Sequence, residues 1–398
     1  MLLRRFFLLF IMASFSLGLS AKAKFDRHYS ENFDDFSIEL LLSGFGPSWG
    51  ITYLPGHQLL LTQWKSGKIY LADLQTSELH LLAQIDDVYS AGQGGLMAVL
   101  ADRNFSKNKR IYFTRSFLRG GESTTQLLSA VIKSVNEDEQ EKPKFRFWRK
   151  DVGPYKLTAP QLLFSAEPWL DSRKHYGAAL TQDDAGVLYL SIGDRGERQH
   201  AQDSQSQLGK IIRLELFSQL NGSVSLKQAS IYSMGHRNPQ GLIYVADIAE
   251  LWSAEHGPRG GDEVNRIIEG GNYGWPLLTK GREYTGGKIA VAEHIDGMVD
   301  PMIAYVPSIA TSALVYYANV ENGAFFMPAL DKHFLLLSLK AKQIHLLHTE
   351  GQRLVSKGLL LENIHERWRN AVVAPTGEVF LLAESGKVYR LYNSKNKQ

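Results

Sequence analysis

The sequence predicts an all-β protein with the architecture of a six-bladed β-propeller. Short runs rich in Ile, Val, Leu, Tyr and Phe alternate with turn signals of Gly, Asp, Asn and Pro, whereas amphipathic helical windows are scarce. The runs recur as six units of strand, polar turn and strand, a repetition typical of propellers. The turn spacing also fits a pair of β-sandwiches, which stays open as the alternative fold.

Each unit has an apolar strand, a tight polar turn, a second strand and usually a third. Roughly 375 residues divided by six leave about 62 per unit, which is long for a blade but compatible with insertions. The polar segment from about 116 to 160, which contains NEDEQEKPK, is predicted to be an excursion between strands rather than a domain. In chain order the units contain GITYLPGHQLLLTQWKSGKIYLADL, GLMAVLADRNFSKNKRIYFTRS, GAALTQDDAGVLYLSIGD with GKIIRLEL, GLIYVADIAELWSAEHG, SALVYYANV with KHFLLLSLKAKQIHLLHT, and NAVVAPTGEVFLLAESGKVYRLY.

Residues 1–23 have the pattern of an export signal. Arg4 and Arg5 precede the apolar run FFLLFIMASFSLGL, and AKA at 21–23 offers small residues for cleavage. An uncleaved membrane anchor is the alternative, although the run is shorter than the ~20 residues that a bilayer needs. We therefore expect a single propeller domain over 24–398, a periplasmic or secreted location, and no integral membrane segment after cleavage.

Charge and cysteine content limit the possible partners. The 44 Lys and Arg residues nearly balance 41 Asp and Glu residues, and the net charge of +3 forms no basic stripe, so no nucleic-acid partner is expected. The chain contains no cysteine, which excludes disulfides, thiolate zinc sites and a lipidated cysteine. Any metal must therefore use oxygen or imidazole ligands.

Polar clusters follow several predicted strands, where the loops of a propeller gather at the mouth of its central channel. We expect the functional site at this mouth. The clusters are GQGGL at 92–96, KHYGAAL at 174–180, IGDRGE at 192–197, MGHRNPQGL at 234–242, EHGPRGGDEVN at 255–265 and GGNYGWP at 270–276.

His175 is the candidate general base, because an imidazole ahead of a strand at this mouth titrates near neutrality. Asp194 follows the next strand, and a hairpin of that length would bring its carboxylate beside the imidazole and fix its tautomer. An ordinary loop or capping histidine is the alternative interpretation of His175.

Two further clusters offer ligand-binding side chains. Arg237 and Asn238 present a fork of donors and an amide, which suit an anionic or carbonyl-rich planar ligand. An arginine that only ties loops together is equally compatible with the pattern. Gln93 carries an amide that would meet a ligand in the channel, or it belongs to a plain turn.

The segment GPRGGDEVN has the composition of a cation-binding turn. Its glycines allow carbonyl groups to face a cation, and Asp262, Glu263 and Asn265 offer hard oxygen ligands of the kind that calcium prefers. The segment does not match an EF-hand loop. A glycine-rich turn with solvated charges is the alternative.

Taken together and in this order, the clusters resemble the soluble pyrroloquinoline quinone (PQQ)-dependent aldose sugar dehydrogenases of the glucose/sorbosone dehydrogenase family. The resemblance runs from about Gly46 to Leu391. It implies a six-bladed propeller with PQQ and calcium as cofactors, an aldose oxidised at C1 to a lactone, and a quinone or cytochrome as electron acceptor. The protein would be a monomer or homodimer.

The resemblance also implies roles for individual residues. His175 would remove the proton from the anomeric hydroxyl, Asp194 would orient His175, and Arg237 would stabilise the charge that grows as hydride is transferred. One calcium would be held by the carbonyls of Gly257 and Pro258, and a second by the Glu263 carboxylate and the Tyr273 carbonyl. The residues implied to bind the cofactor are Gln93, Arg237, Asn238, Tyr284, Lys340, Arg367 and Arg369.

The chain departs from the family pattern in ERWRN at 366–370. Glu366 replaces a glycine, Trp368 introduces a bulky side chain, and Asn370 replaces an acid. If Glu366 pointed inward, it would repel the carboxylates of the cofactor. A further departure, Ala313 where glycine is common, affects only loop packing.

Two other functions remain compatible with the sequence. One is a calcium-dependent lactonase or hydrolase, in which His175 would act on a calcium-bound water. The other is a non-catalytic propeller that binds a sugar or another ligand. His175, Arg237 and Lys340 together favour the dehydrogenase, whereas Glu366 favours the binding protein.

Overall fold

The computed structural model describes residues 24–25, 30–32, 36–135, 154–158, 160–218, 223–292, 294–318, 320, 322–393 and 395. These residues form six antiparallel sheets arranged as the blades of a propeller, which confirms the predicted all-β fold. The predicted export signal at 1–23 lies outside the described residues.

Three short N-terminal strands precede the first complete blade. They are β1 (Lys24–Phe25), β2 (Ser30–Asn32) and β3 (Ser37–Ser43). The first blade contains β4 (Ser48–Leu54), β5 (Gln58–Gln63), β6 (Lys68–Asp73) and β7 (Glu78–Gln84). The second contains β8 (Leu96–Ala101), the helix α1 (Phe105–Asn108), β9 (Arg110–Arg119), β10 (Glu122–Ser134), β11 (Tyr155–Leu157) and β12 (Gln161–Ser165).

The next two blades carry most of the polar clusters. The third contains β13 (Leu180–Gln182), β14 (Leu188–Ile192), a 3₁₀ turn (Arg198–Gln202), β15 (Lys210–Ser218) and β16 (Val224–Met234). The fourth contains β17 (Pro239–Val245), a 3₁₀ turn (Ala246–Ile248), β18 (Glu250–Glu255), β19 (Asp262–Ile267) and β20 (Ile303–Tyr305).

The last two blades complete the ring. The fifth contains β21 (Thr311–Tyr317), a 3₁₀ turn (Pro328–Leu330), β22 (His333–Ser338), β23 (Ile344–Glu350) and β24 (Arg353–Leu360). The sixth contains β25 (Trp368–Val373), β26 (Val379–Ala383) and β27 (Val388–Tyr392). None of the helical segments in the described ranges combines the length and the apolar character of a bilayer-spanning helix.

The ring is closed by pairing the two ends of the chain. Strand β3 joins the sixth blade antiparallel to β27, with Ser37 opposite Tyr392 and Leu42 opposite Val388. The N-terminal strand thus supplies the fourth strand of the last sheet and covers an edge that would otherwise be unpaired. The first strands of neighbouring blades contact one another around the ring, from β4 through β8, β13, β17, β21 and β25 back to β4.

Both faces of each blade are covered by its neighbours, so several strands are continuous apolar runs rather than alternating ones. The middle of β5 is an example, because Leu59, Leu60 and Leu61 are all fully buried. Side chains of the first two blades pack into one cluster that includes Leu60 and Phe113. Burying one such side chain contributes roughly 1.5–3 kcal/mol, so the packing between blades stabilises the ring.

The predicted excursion over 116–160 is corrected in its first part. Residues 116–134 complete β9 and form β10, and the two strands pair across a turn with Arg119 opposite Glu122. The polar residues of this stretch can be buried in a strand because their hydroxyl groups donate hydrogen bonds to neighbouring backbone carbonyls. Thr124 donates to the Ala166 carbonyl at 2.6 Å and Thr125 to the Tyr176 carbonyl at 2.8 Å. Residues 136–153 lie outside the described residues.

Candidate active site

A cavity of about 1000 Å³ lies where loops from all six blades meet. It brings together residues that are far apart in sequence and that were predicted to belong to one site. The predicted residues that line it are Gln93, His175, Arg237, Asn238, Gly257, Pro258, Tyr284, Lys340, Arg367 and Arg369.

His175 and Asp194 form a hydrogen-bonded pair at this cavity. His175 Nδ1 is 2.6 Å from Asp194 Oδ1. The same oxygen accepts the Gly196 amide at 2.7 Å, and Oδ2 accepts Trp275 Nε1 at 2.8 Å. A carboxylate in this setting only accepts, so Nδ1 carries the proton and Nε2 keeps its lone pair. The pair therefore has the form of an oriented general base.

The electrostatic setting keeps His175 neutral. Burial lowers the pKa of His175 and Arg237 lowers it further, whereas Asp194 opposes both, and the balance lies below the usual value. Burial alone would raise the pKa of Asp194, but its hydrogen bonds with His175 and Gly196 outweigh burial and hold it below its usual value. A neutral imidazole beside an ionised carboxylate can accept a proton.

The backbone of His175 is held by Gln93. The φ angle of His175 is +53°, in the left-handed region that non-glycine residues adopt at a cost of roughly 1–3 kcal/mol. Its backbone N–H donates to Gln93 Oε1 at 2.7 Å, and the Gln93 N–H donates to the Arg173 carbonyl at 2.7 Å. Gln93 thus supports the candidate base as well as lining the cavity.

Arg237 both lines the cavity and ties loops together. Its NH1 donates to the carbonyls of His256 at 3.0 Å and Gly257 at 2.8 Å, and its guanidinium lies 5.4 Å from the ring centre of Trp275. Asn238 Oδ1 accepts the Gly177 N–H at 3.2 Å. The loops that carry His175, Arg237 and Gly257 are therefore connected directly.

Positive charge predominates around the cavity. In the described part of the chain its lining contains six Lys and Arg residues and a single carboxylate, Glu384. Such an excess favours an anionic ligand, because guanidinium groups bind carboxylates and phosphates strongly. The six are Arg237, Arg259, Arg282, Lys340, Arg367 and Arg369.

Glu384 lies between two of these arginines. Its Oε1 accepts Arg369 NH2 at 2.7 Å, and its Oε2 accepts Arg367 Nε. Arg369 NH1 donates to Gln240 Oε1 at 2.9 Å. Burial would raise the pKa of Glu384, but Arg367 and Arg369 outweigh burial and hold it below its usual value. This carboxylate is thus the counter-ion of both arginines.

The departures in ERWRN leave the cavity intact. Glu366 does not line it; its Oε1 accepts Lys387 Nζ at 2.6 Å and the Tyr389 hydroxyl at 3.1 Å. Trp368 is fully buried in the core and meets Tyr389 edge-on. Asn370 donates to the Trp49 carbonyl at 3.3 Å. The repulsion expected from an inward Glu366 therefore does not arise in this arrangement.

The predicted metal residues divide between two places. Gly257 and Pro258 line the large cavity, whereas Glu263 and Tyr273 line a small neighbouring one of about 10 Å³, which Gly257 also lines. A Cβ at Gly257 would lie 2.3 Å from the Gly260 carbonyl oxygen, so glycine is required for this turn to close. Both carboxylate oxygens of Asp262 already accept hydrogen bonds, Oδ1 from the Gly257 N–H and Oδ2 from the Ser308 hydroxyl, so Asp262 stabilises the turn.

The small cavity is acidic. Burial and the neighbouring Glu255 raise the pKa of Glu263 well above its usual value. Asn265 Oδ1 is buried and has no hydrogen-bond partner in the described structure. Within the described ranges, no group of three or more His, Asp or Glu side chains is placed to hold a metal ion. A cation here would therefore need backbone carbonyls as additional ligands.

Several cavity residues escaped the sequence analysis. Gln240 and His256 lie inside clusters that were singled out, but no role was assigned to them. Trp49 and Trp64 pack against each other with ring centres 5.1 Å apart, and Arg369 lies 4.2 Å from the ring centre of Trp49. Trp49 lies in β4 and Trp64 follows β5, and an aromatic residue at either position carries no ligand-binding signal in the sequence, so only the fold reveals this apolar wall.

Comparison with known proteins agrees with this geometry. The family model described as Glucose / Sorbosone dehydrogenase matches residues 45–390. The aldose sugar dehydrogenase YliI of Escherichia coli (strain K12) is 28% identical over 372 residues, which cover 89% of this chain and 92% of that protein. Quinoprotein glucose dehydrogenase B of Acinetobacter calcoaceticus is 26% identical over 288 residues, which cover 66% of this chain and 56% of that protein.

A solved structure shows the same relationship. The soluble aldose sugar dehydrogenase of Escherichia coli, in its apo-form, matches with a TM-score of 0.76 and 28% identity, covering 90% of this chain and 99% of that one. The family model spans most of the chain, and the resemblance noted from the sequence is confirmed. The chain belongs to the glucose/sorbosone dehydrogenase family of oxidoreductases.

Proposed function

We propose that the protein oxidises the C1 hydroxyl of aldose sugars to lactones with PQQ and calcium as cofactors. The observation that carries the proposal is that the His175–Asp194 pair opens onto the same cavity as six basic side chains. The names of the relatives, an aldose sugar dehydrogenase and a quinoprotein glucose dehydrogenase, support the same reaction class.

His175 is the proposed general base. Its Nε2 lone pair takes the proton of the C1 hydroxyl, and Asp194 then stabilises the imidazolium that forms. Asp194 accepts hydrogen bonds from His175, Gly196 and Trp275, which keep it ionised and fixed in place. Because the imidazole is neutral before the reaction, the base is available at neutral pH.

The cavity fits the proposed cofactor in size and charge. PQQ, a planar quinone with three carboxylates, supplies the acceptor for the hydride of C1 when it is bound. A volume of about 1000 Å³ is within the range of cofactor sites, with room for a sugar. The Nε atom of Arg369 is buried and has no hydrogen-bond partner in the described ranges. This N–H group would therefore be available to donate to a carboxylate of the cofactor.

Different basic residues would contact different parts of the cofactor. Lys340, Arg367 and Arg369 would bind its carboxylates, because burying an unpaired charge is prohibitive. Arg237 and Asn238 would contact the quinone oxygens, where the guanidinium stabilises developing negative charge. Gln93 and Tyr284 would complete the contacts; Tyr284 is largely exposed, at the rim of the cavity.

Calcium is proposed at both predicted places. Gly257 and Pro258 line the large cavity, and their carbonyls would bind one ion beside the cofactor. The Glu263 carboxylate and the Tyr273 carbonyl would bind a second ion, since both residues line the small cavity. The unpartnered Oδ1 of Asn265, whose Nδ2 lies 3.5 Å from Glu263 Oε2, would offer a further oxygen. A divalent ion there would relieve the repulsion between Glu263 and Glu255, which fits the acidity of the small cavity.

The cellular setting follows from the N-terminal sequence. We propose export of the chain through residues 1–23 and reaction in the periplasm or outside the cell. The reduced cofactor would then pass electrons to a quinone or a cytochrome.

Reconstitution tests the proposal. Purified apoprotein is mixed with calcium and PQQ, and the absorbance change and the reduction of a dye are followed after an aldose is added. We expect dye reduction that requires both cofactors and the sugar. Lactone hydrolysis without the quinone would instead identify a lactonase, and the absence of both reactions would identify a binding protein.

A further inference from the structure

Arg195 is a buried cation next to the candidate base that the proposed reaction does not use. It follows Asp194 in the turn after β14, and its side chain is about 1% exposed. Its guanidinium lies 3.4 Å from the ring centre of Tyr176, a stacked arrangement. Burial lowers the pKa of Arg195, but an arginine still carries its charge at neutral pH.

The guanidinium of Arg195 binds the loop that carries His175. NH1 donates to the Lys174 carbonyl at 2.6 Å, and NH2 donates to the Ser172 carbonyl at 2.5 Å and to Ser123 Oγ at 2.8 Å. Two carbonyls of one loop and a hydroxyl on β10 are thus held by one planar group. A fork of this geometry orients its acceptors more strictly than a single ammonium group does.

The backbone of Arg195 adds contacts with the same loop. Its N–H donates to the His175 carbonyl at 3.3 Å, and its carbonyl accepts the Ser172 hydroxyl. Tyr176, under the guanidinium, is held in the same way: its carbonyl accepts Thr125 Oγ1 at 2.8 Å, and its hydroxyl donates to the Ser172 carbonyl at 3.1 Å and lies 2.9 Å from Ser123 Oγ.

This loop needs such support because its backbone is strained. His175 has a φ of +53° and Ala178 a φ of +73°, and Arg195 itself has a φ of +58°. Non-glycine residues keep such angles only when surrounding contacts impose them, and these residues cluster at the proposed base. Without the contacts, the loop would relax and the His175 ring would leave Asp194.

We propose that Arg195 is the positioning residue that holds the loop at 172–176 in its strained form and thereby keeps His175 Nδ1 on Asp194. It acts through His175 and touches neither substrate nor cofactor. The inference rests on the proposed function only where it predicts an effect of Arg195 substitutions on turnover. The position of His175 itself can be measured without cofactor.

The test is the NMR signal of the His175 Nδ1 proton in the apoprotein. A short hydrogen bond to a carboxylate gives a low-field proton resonance, which the variant His175→Gln assigns by its loss. Arg195→Met should remove or broaden this resonance. Arg195→Lys keeps the buried charge but loses the planar fork, so it should shift or broaden the resonance while the protein stays folded.

Lys210→Met is the matched control. Lys210 is also fully buried and its Nζ donates to three backbone carbonyls, those of His200, Ala201 and Leu208, none of which belongs to the loop at 172–176. This variant should lower the unfolding temperature yet keep the His175 resonance and the turnover. Loss of the resonance in Lys210→Met would show that it reports general destabilisation and would overturn the proposal.

Turnover of the reconstituted variants separates this inference from the proposed function. We expect kcat of a folded Arg195 variant to fall by about 100-fold, with little change in sugar KM, because a small displacement of a base is costly. A wild-type resonance in any folded Arg195 variant overturns the positioning role. A lost resonance with unchanged kcat upholds the positioning role and overturns the role of His175 as base.

Discussion

His175 and Asp194 lie 19 positions apart in the chain, yet His175 Nδ1 is 2.6 Å from Asp194 Oδ1. The loop before β13 carries the histidine and the turn after β14 carries the aspartate, so the antiparallel pairing of these two strands brings them together. The contact determines which ring nitrogen holds the proton. Its effect on acidity is therefore testable.

Asp194→Asn should change the pH dependence of kcat as well as its size. The neutral form of His175 is the active one, so activity falls as pH drops through its pKa, which lies below the usual value. Asp194 raises that pKa, and its replacement should move the acid limb to still lower pH. We also expect kcat to fall by about 10³–10⁴-fold through loss of the productive tautomer. Movement of the limb to higher pH would contradict the assignment.

Glu384→Gln should destabilise the apoprotein. Arg369 is buried and would lose its charged partner, at a cost of about 3 kcal/mol in the free energy of unfolding measured with urea. Added PQQ should then stabilise the variant more than the wild type, since its carboxylates replace the missing counter-ion. An unchanged unfolding free energy, or an equal gain from PQQ, would count against this role.

Glu366→Gln is the control for that experiment. Glu366 pairs with Lys387, which is partly exposed, and neither residue lines the cavity. We expect a loss below about 1 kcal/mol and the same gain from PQQ as in the wild type.

Glu263→Gln should reduce the response of stability to calcium. Calcium at 100 times its Kd stabilises a single-site protein by about 2.7 kcal/mol, and a chelator removes this gain. Without calcium the variant should be at least as stable as the wild type, because one of two facing buried carboxylates is gone. Thermal unfolding with calcium and with chelator measures both effects.

Glu269→Gln serves as the matched variant for the calcium experiment. Glu269 is exposed and follows β19, the strand that carries Glu263. Its replacement should leave the calcium response unchanged. An equal loss of response in both variants would place the ion elsewhere.

The repeated units predicted the blades because the alternation of apolar strands and polar turns is a local signal. The pairing of Ser37 with Tyr392 had no such signal, since it joins the two ends of the chain. Strand β10, which pairs with β9, was missed because its buried polar residues resemble a solvated segment until their hydrogen-bond partners are known. Periodicity alone does not distinguish these cases.

Motifs identified the candidate base and the basic residues, but not the group that balances their charge. Glu384 is a single acid in a turn. Its role as a counter-ion can be recognised only from its hydrogen bonds with Arg367 and Arg369, which the neighbouring strand β25 brings beside it. Arg195 stood within a motif that had been singled out, yet its contacts with the loop of His175 are purely spatial. Pairwise geometry of this kind requires the folded structure.

The most direct measurement is a titration of PQQ into calcium-loaded apoprotein of His175→Ala and Arg367→Ala, followed by turnover with an aldose. We expect His175→Ala to bind PQQ nearly as the wild type does but to lose turnover, and Arg367→Ala to bind PQQ more weakly. This result would confirm that different residues of one cavity bind the cofactor and abstract the proton. Equal loss of PQQ binding in both variants, or turnover retained by His175→Ala, would contradict it.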